Sequence, residues 1–219
     1  MFPKALQTWA RQLAEGVVAP LARRGVNPNV ITVLGFAFNV MTAAVLATGH
    51  LSTGGAMLFL SGVFDMLDGA LARVTSRQSD FGAFLDSLLD RYSEAAVLLA
   101  LIFVFTVRQN TASVLLVYAV AVGSILSSYA RARAEGLGLD AKVGIAPRPE
   151  RVLILGLGLL FTGLGLPFSG STTIAALAVL AVLTHVTAMQ RLYHVWQQTR
   201  AKAKDKARRS TKATETRIT

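Results

Sequence analysis

Six apolar runs divide the chain, at residues 30–49, 54–73, 81–107, 113–131, 152–166 and 172–195. A hydrocarbon core about 30 Å thick needs roughly 20 apolar residues, so these runs are long enough to cross a bilayer, the fifth being short. Ahead of them, Phe2, Leu6, Trp9, Leu13 and Val17 recur at helical spacing, while Lys4, Gln7, Arg11 and Gln12 take the other faces. That pattern predicts an amphipathic helix lying in the cytoplasmic interface, broken by Pro20 and the Arg23-Arg24-Gly25 segment. After the sixth run the chain turns polar and basic, with Lys202, Lys204, Lys206, Arg208 and Arg209, and reads as a solvated, disordered tail weakly attracted to anionic lipid. The expected architecture is an all-α membrane protein. Its parts are an interfacial helix over 1–24, a domain of six transmembrane helices over 25–199, and a basic cytoplasmic tail over 200–219.

Composition supports one polytopic membrane domain. The chain has 219 residues, 53% of them hydrophobic, and a mean hydropathy of +0.52. A net charge of +10 raises the question of a nucleic-acid partner, but its distribution answers it. With the amino terminus inside, all but one of the 22 Lys and Arg residues fall on the cytoplasmic side, the exception being Arg108. The basic excess therefore reports topology, with both termini inside, and membrane lipid rather than nucleic acid is the expected partner. There is no Cys, so disulfide and thiol chemistry are excluded. No cleavable signal peptide is expected, because residues 1–24 are too polar for its apolar core.

Into this apolar pattern the segment Asp65-Met66-Leu67-Asp68-Gly69-Ala70-Leu71-Ala72-Arg73, followed by Asp86 and Asp90, introduces four carboxylates. An ionised side chain in hydrocarbon costs about 2.5–3.5 kcal/mol on insertion scales, so four together imply a bound counter-charge. Residues three or four apart share a helix face, which pairs Asp65 with Asp68 and Asp86 with Asp90. The polar segment Ser76-Arg77-Gln78-Ser79-Asp80 reads as a tight turn between antiparallel helices, setting the two pairs face to face. Oxygen-only donors suit a hard cation such as Mg²⁺ or Mn²⁺. None of His50, His185 and His194 has ligand spacing, and they read as surface or packing residues. Gly156, Gly158, Gly163 and Gly165 lie in or beside a span and read as small residues for close helix packing rather than a phosphate loop. Pro28 and Asn29 read as the start of the first spanning helix, where free N–H groups favour anions.

The pattern D-x2-D-G-x2-A-R-x8-G-x3-D-x3-D is filled by Asp65, Asp68, Gly69, Ala72, Arg73, Gly82, Asp86 and Asp90. It resembles the signature of the CDP-alcohol phosphotransferases, integral membrane enzymes of phospholipid synthesis. The resemblance implies two metal ions per active site, Mg²⁺ or Mn²⁺, held by Asp65, Asp68, Asp86 and Asp90, with Asp90 also the catalytic base. It implies CDP-diacylglycerol as donor, met by Asn29, Val30, Ile31 and Thr32, by Gly69, Ala72 and Arg73, and by Ser79 and Gly82. It also implies a homodimer in a bacterial cell membrane, with the active site on the cytoplasmic side.

Three further segments, Tyr129-Ala130-Arg131-Ala132-Arg133-Ala134-Glu135, Arg148-Pro149-Glu150-Arg151 and Gln190-Arg191-Leu192, resemble the phosphatidylinositol-phosphate synthases of actinobacteria. Arg131 stands where Lys is expected. By that resemblance Arg131, Arg151 and Arg191 bind the phosphate of inositol 1-phosphate (also numbered 3-phosphate), while Arg133 and Arg148 read as ordinary positive-inside residues. A phosphorylated acceptor needs such a basic cluster, and a neutral polyol does not. The rival readings are a phosphatidylglycerol-phosphate synthase acting on glycerol 3-phosphate and, in another class, a divalent-metal transporter. The transporter fits poorly, since the other spans lack acidic residues.

Overall fold

Each apolar run becomes a helix. The computed structural model describes residues 4–163 and 169–215, with side chains over 14–163 and 171–203. Among the described residues it holds α1 Lys4–Arg23, α2 Pro28–Ala47, α3 Leu51–Val74, α4 Asp80–Val107, α5 Thr111–Gly136, α6 Arg148–Thr162 and α7 Ser169–Glu215, with no strand. Among the described residues, four segments are long and apolar enough to cross a membrane: α2, α3, α5 and the Ser171–Ala203 part of α7. The other two expected spans fall short for different reasons. Asp90, Arg91 and Glu94 interrupt the apolar stretch of α4, and α6 has 15 residues, only about 22 Å of helix.

The helices close into a ring whose order differs from the chain order. Going round, α2 packs on α3, α3 on α6, α6 on α7, α7 on α5, α5 on α4, and α4 back on α2. The backbones of α3 and α4, joined by the short turn at 75–79, do not meet, and α2 packs against both. The expected face-to-face hairpin is therefore opened into two walls with a gap between them. At the end of the ring holding the 48–50 and 108–110 connections, the interior is filled by Leu46, Leu51, Leu101, Val104, Leu159 and Leu177. Outward-facing positions such as Leu99, Phe103, Leu115, Tyr118, Val182 and Met189 remain exposed. An apolar exterior on this scale suits hydrocarbon surroundings.

The basic segment from Arg200, expected to be disordered, continues α7 as helix through Glu215. Its Lys, Arg and Ala residues are strong helix formers and extend a helix already nucleated, which explains the difference. Pro20 likewise does not break α1, which runs through it to Arg23. Only one backbone N–H is lost there, and the helix ends instead at Gly25, whose φ of +70° lets Val26 N–H reach Leu21 O. Ala14 and Val18 of α1 are buried with Ala70 and Leu71 of α3, while Val17 faces outward. Phe2, and the side chains of Leu6, Trp9 and Leu13, lie outside the described residues. The same holds for the connection at 164–168, with Gly165, and for the side chains of Lys204, Lys206, Arg208 and Arg209.

Small residues set the helix spacing. A Cβ on Gly55 would sit 2.6 Å from Leu160 N and 2.9 Å from Gly156 O, so α3 and α6 meet backbone to backbone. Gly158 admits Ala176 in the same way between α6 and α7. His50 and His185 take local roles, His50 as the cap position of α3 and His185 facing Ala181 O at 2.9 Å. Gly55→Ala should cost about 1–3 kcal/mol by overpacking, read as a lowered unfolding temperature in detergent. Gly62→Ala, on the same helix with nothing within 4 Å of the added atom, should be neutral or slightly stabilising.

Candidate active site

Two cavities flank α4, and they share one residue. The first, about 300 Å³, is lined by the start of α2 (Pro28, Asn29, Thr32), the end of α3 (Asp68, Gly69, Ala72, Arg73), the turn with Ser79, and Gly82 and Asp86 of α4. The second, about 650 Å³, lies between α4, α5 and the start of α6, and is lined among others by Asp86, Asp90, Arg91, Tyr129, Arg131 and Arg148. Asp68 belongs to the first alone, Asp90 to the second alone, and Asp86 to both.

Local sequence explains the first cavity. Asn27 caps α2, its side chain accepting from Asn29 N–H at 3.0 Å, and Pro28 takes the first helical position. Asn29 and Thr32, three apart, therefore face the cavity together. Val30 is 50% exposed on the outer side, and Ile31 is buried against α1 and α3. The expected 29–32 contact segment thus divides by helix face. Ser79 caps α4, its Oγ accepting from Gly82 N–H at 3.0 Å. A Cβ on Gly82 would lie 3.1 Å from both Asn29 Oδ1 and Ser79 Oγ, so only glycine leaves that corner open. The turn is fixed by Ser76 at φ +51°, with Arg77 Nη1 donating to Gly25 O at 2.9 Å.

The four carboxylates are carried by α3 and α4 but are not gathered face to face as the spacing implied, and an arginine stands between two of them. Nη1 of Arg148 lies 2.6 Å from Asp65 Oδ2 and 2.7 Å from Asp90 Oδ1. Arg148, read from sequence as an ordinary positive-inside residue, is therefore the counter-charge inside the cluster. One turn further along each helix the pattern repeats, with Arg151 holding Glu94 through Nε to Oε1 at 3.0 Å and Nη2 to Oε2 at 3.1 Å. These two rungs tie α4 to α6, whose backbones do not meet.

The acceptor arginines lie within electrostatic reach of one another, Arg131 and Arg151 both acting on Arg191, but each has its own partners. Arg131 lines the larger cavity, half-exposed, 2.9 Å from Glu135 one turn on. Arg151 is 5% exposed and committed to Glu94. Arg191, also buried, donates to Val143 O at 2.9 Å, Ser127 O at 2.6 Å and Ser127 Oγ at 3.0 Å. Buried guanidinium groups need such partners, and these hold the 137–147 connection onto α7. That connection is further fixed by Thr187 to Ala146 N–H and Gln190 to Ile145 N–H, both at 3.1 Å. It delivers Arg148 to the carboxylates. Arg133 is exposed, as expected. Sequence reading missed Arg148, Arg91 and Glu94, although Glu94 continues the four-residue stripe Asp86, Asp90 and could have been read from it.

The donor chemistry fits a divalent cation. The groups are hard oxygen ligands, and Asp68 Oδ2 is buried with no hydrogen-bond partner. As the side chains stand, no three Asp, Glu or His among the described residues are grouped closely enough to hold an ion, and Arg148 fills the space between Asp65 and Asp90.

Comparison with known proteins finds relatives along most of the chain. The family model for CDP-alcohol phosphatidyltransferase matches residues 26–198. The archaetidylinositol phosphate synthase of Methanothermobacter thermautotrophicus is 39% identical over 189 residues, covering 86% of this chain and 93% of that one. The phosphatidylinositol phosphate synthase of Mycobacteroides abscessus is 36% identical over 192 residues, covering 86% of each. The Mycobacterium tuberculosis phosphatidylinositol phosphate synthase, solved with CDP-DAG bound, superposes with a TM-score of 0.78 at 33% identity, over 84% of this chain and 94% of that one. It has also been solved with manganese and citrate.

The Arg151–Glu94 pair generates a test. Glu94→Ala leaves a buried guanidinium uncompensated and should lower stability by about 3–5 kcal/mol. Combining it with Arg151→Ala should restore part of that loss, giving non-additive unfolding midpoints in detergent. Additive losses would show that Arg151 is not held by Glu94.

Proposed function

The chain belongs to the CDP-alcohol phosphatidyltransferase family, and from that premise we propose that it transfers the phosphatidyl group of CDP-diacylglycerol to a hydroxyl of inositol phosphate, releasing CMP. The observation that carries this reading is Asp86 on the boundary between the two cavities. A donor pyrophosphate on one side and an acceptor hydroxyl on the other would meet at that carboxylate. The relatives' names share inositol phosphate and differ in the lipid part, which supports the choice of acceptor.

The cytidine end takes the smaller cavity, where Gly69 and Gly82 allow close approach and Arg73 pairs with donor phosphate. Asp65, Asp68, Asp86 and Asp90 would hold two ions, Mg²⁺ or Mn²⁺, which supply charge neutralisation on the pyrophosphate and on departing CMP. Asp90, in the larger cavity, takes the proton of the acceptor hydroxyl as its oxygen bonds to the lipid-bearing phosphorus. The bond from that phosphorus to the CMP oxygen breaks in the same displacement. Arg131 meets the acceptor's phosphate, while Arg151 and Arg191 hold the wall around it. All six helices α2–α7 cross the membrane, with both termini and the site on the cytoplasmic side and the lipid tails left in the bilayer. Two copies pair, one site each; mass measurement in mild detergent should return the dimer.

Purified protein, CDP-diacylglycerol and Mg²⁺ should release CMP fastest with inositol phosphate, slowly with free inositol, and not at all in EDTA. Asp90→Asn should lose at least about 10²-fold in kcat. Arg131→Ala should raise the acceptor KM about tenfold or more and leave the donor KM unchanged, and Arg73→Ala should do the reverse. Faster turnover with glycerol 3-phosphate would assign the acceptor pocket to that substrate instead.

A further inference from the structure

Arg148 is the only guanidinium seen to touch two of the signature carboxylates among the described residues, and the transfer chemistry has no use for it there. An ion ligated by Asp65 and Asp90 at about 2.1 Å would need the space that Nη1 fills. The ion and the guanidinium therefore exclude each other, by volume and by like charge. Release also has a destination. Arg148 already lines the larger cavity beside Arg91 and Arg131, and its Nε is buried with no hydrogen-bond partner. Pro147 and Pro149 on either side limit how its backbone can move, so the exchange falls to the side chain.

We propose that Arg148 is a resident counter-ion that holds Asp65 and Asp90 in the metal-free protein, yields them to metal, and turns into the larger cavity to complete the site for the acceptor's phosphate. The inference rests on the functional reading above and adds a coupling to it. Metal loading and phosphate binding become linked through one side chain, and by reciprocity phosphate tightens metal as much as metal tightens phosphate. The order of events follows: an acceptor arriving before the ions finds a cavity short of one cation.

Calorimetric titration of the full chain in detergent with Mn²⁺ alone tests the exchange without any substrate. If the Arg148-bound arrangement makes up about nine-tenths of the metal-free protein, Arg148→Gln should bind Mn²⁺ about tenfold more tightly. Arg148→Lys, which keeps the charge, should stay near wild type. In a second arm needing no variant, inorganic phosphate should bind wild type several-fold more tightly with Mn²⁺ than without, and this gain should vanish in Arg148→Gln. Equal or weaker Mn²⁺ binding by Arg148→Gln, or phosphate binding by wild type that ignores Mn²⁺, would overturn the proposal and leave Arg148 as a tie between α3, α4 and α6. Wild type that binds no Mn²⁺ at all would instead overturn the two-metal reading beneath it.

Discussion

Neutralising acidic side chains inside an apolar bundle is the constraint from which the rest of this structure follows. Asp65, Asp90 and Glu94 each meet an arginine of α6. Removing one partner of such a pair strands a charge that the surroundings cannot solvate. The pairs reach across a space, because α4 and α6 do not pack backbone to backbone. The interaction that stabilises the bundle therefore also props it open. A chain that filled the gap with leucine would gain packing and lose its site.

That arrangement divides the molecule along its length. One end is a close-packed interior of Leu and Val, with glycines allowing α3, α6 and α7 to approach. The other end is two splayed walls lined by charged and polar groups. The rigid half holds the helix axes, and the 137–147 connection, fixed to α7 by Thr187, Gln190 and Arg191, sets where α6 begins. The carboxylates on α3 and α4 are thus placed by packing and the arginines by a loop. Two independent supports meet at the site.

What could be read from sequence follows from what is local. The Asp65–Asp90 spacing is a property of two helices and their turn, so the residues were legible. The limits of α2 to α5 followed the apolar runs closely, whereas α6 starts earlier, at Arg148, and α7 runs on to Glu215. Val30 and Ile31 were separable in principle, because within a helix Asn29 and Thr32 share a face that their neighbours do not. The parting of α3 and α4 was not legible, because short connections normally imply contact and here α2 packs against both. Nor was the choice between Arg148 and Arg151 as the carboxylates' partner. Three residues apart, they share one helix face, and only the starting point of α6 decides which meets Asp90. The helical course of the basic segment after Arg200 was hidden by reading charge as disorder, when its residue types favour helix once α7 is under way.

The ring order carries a consequence for biogenesis. Helix α4 is translated before α6, with all of α5 between them, so its acidic half emerges well ahead of the arginines that neutralise it. Until α6 follows, Asp90 and Glu94 have no cationic partner on that helix, and the nascent chain cannot settle α4 fully into lipid. A polypeptide cut short before Arg148 would leave Glu94 without Arg151 and Asp90 with only the longer contact to Arg91, at 3.8 Å. The carboxylates of α4 gain their α6 partners only once synthesis has passed α5.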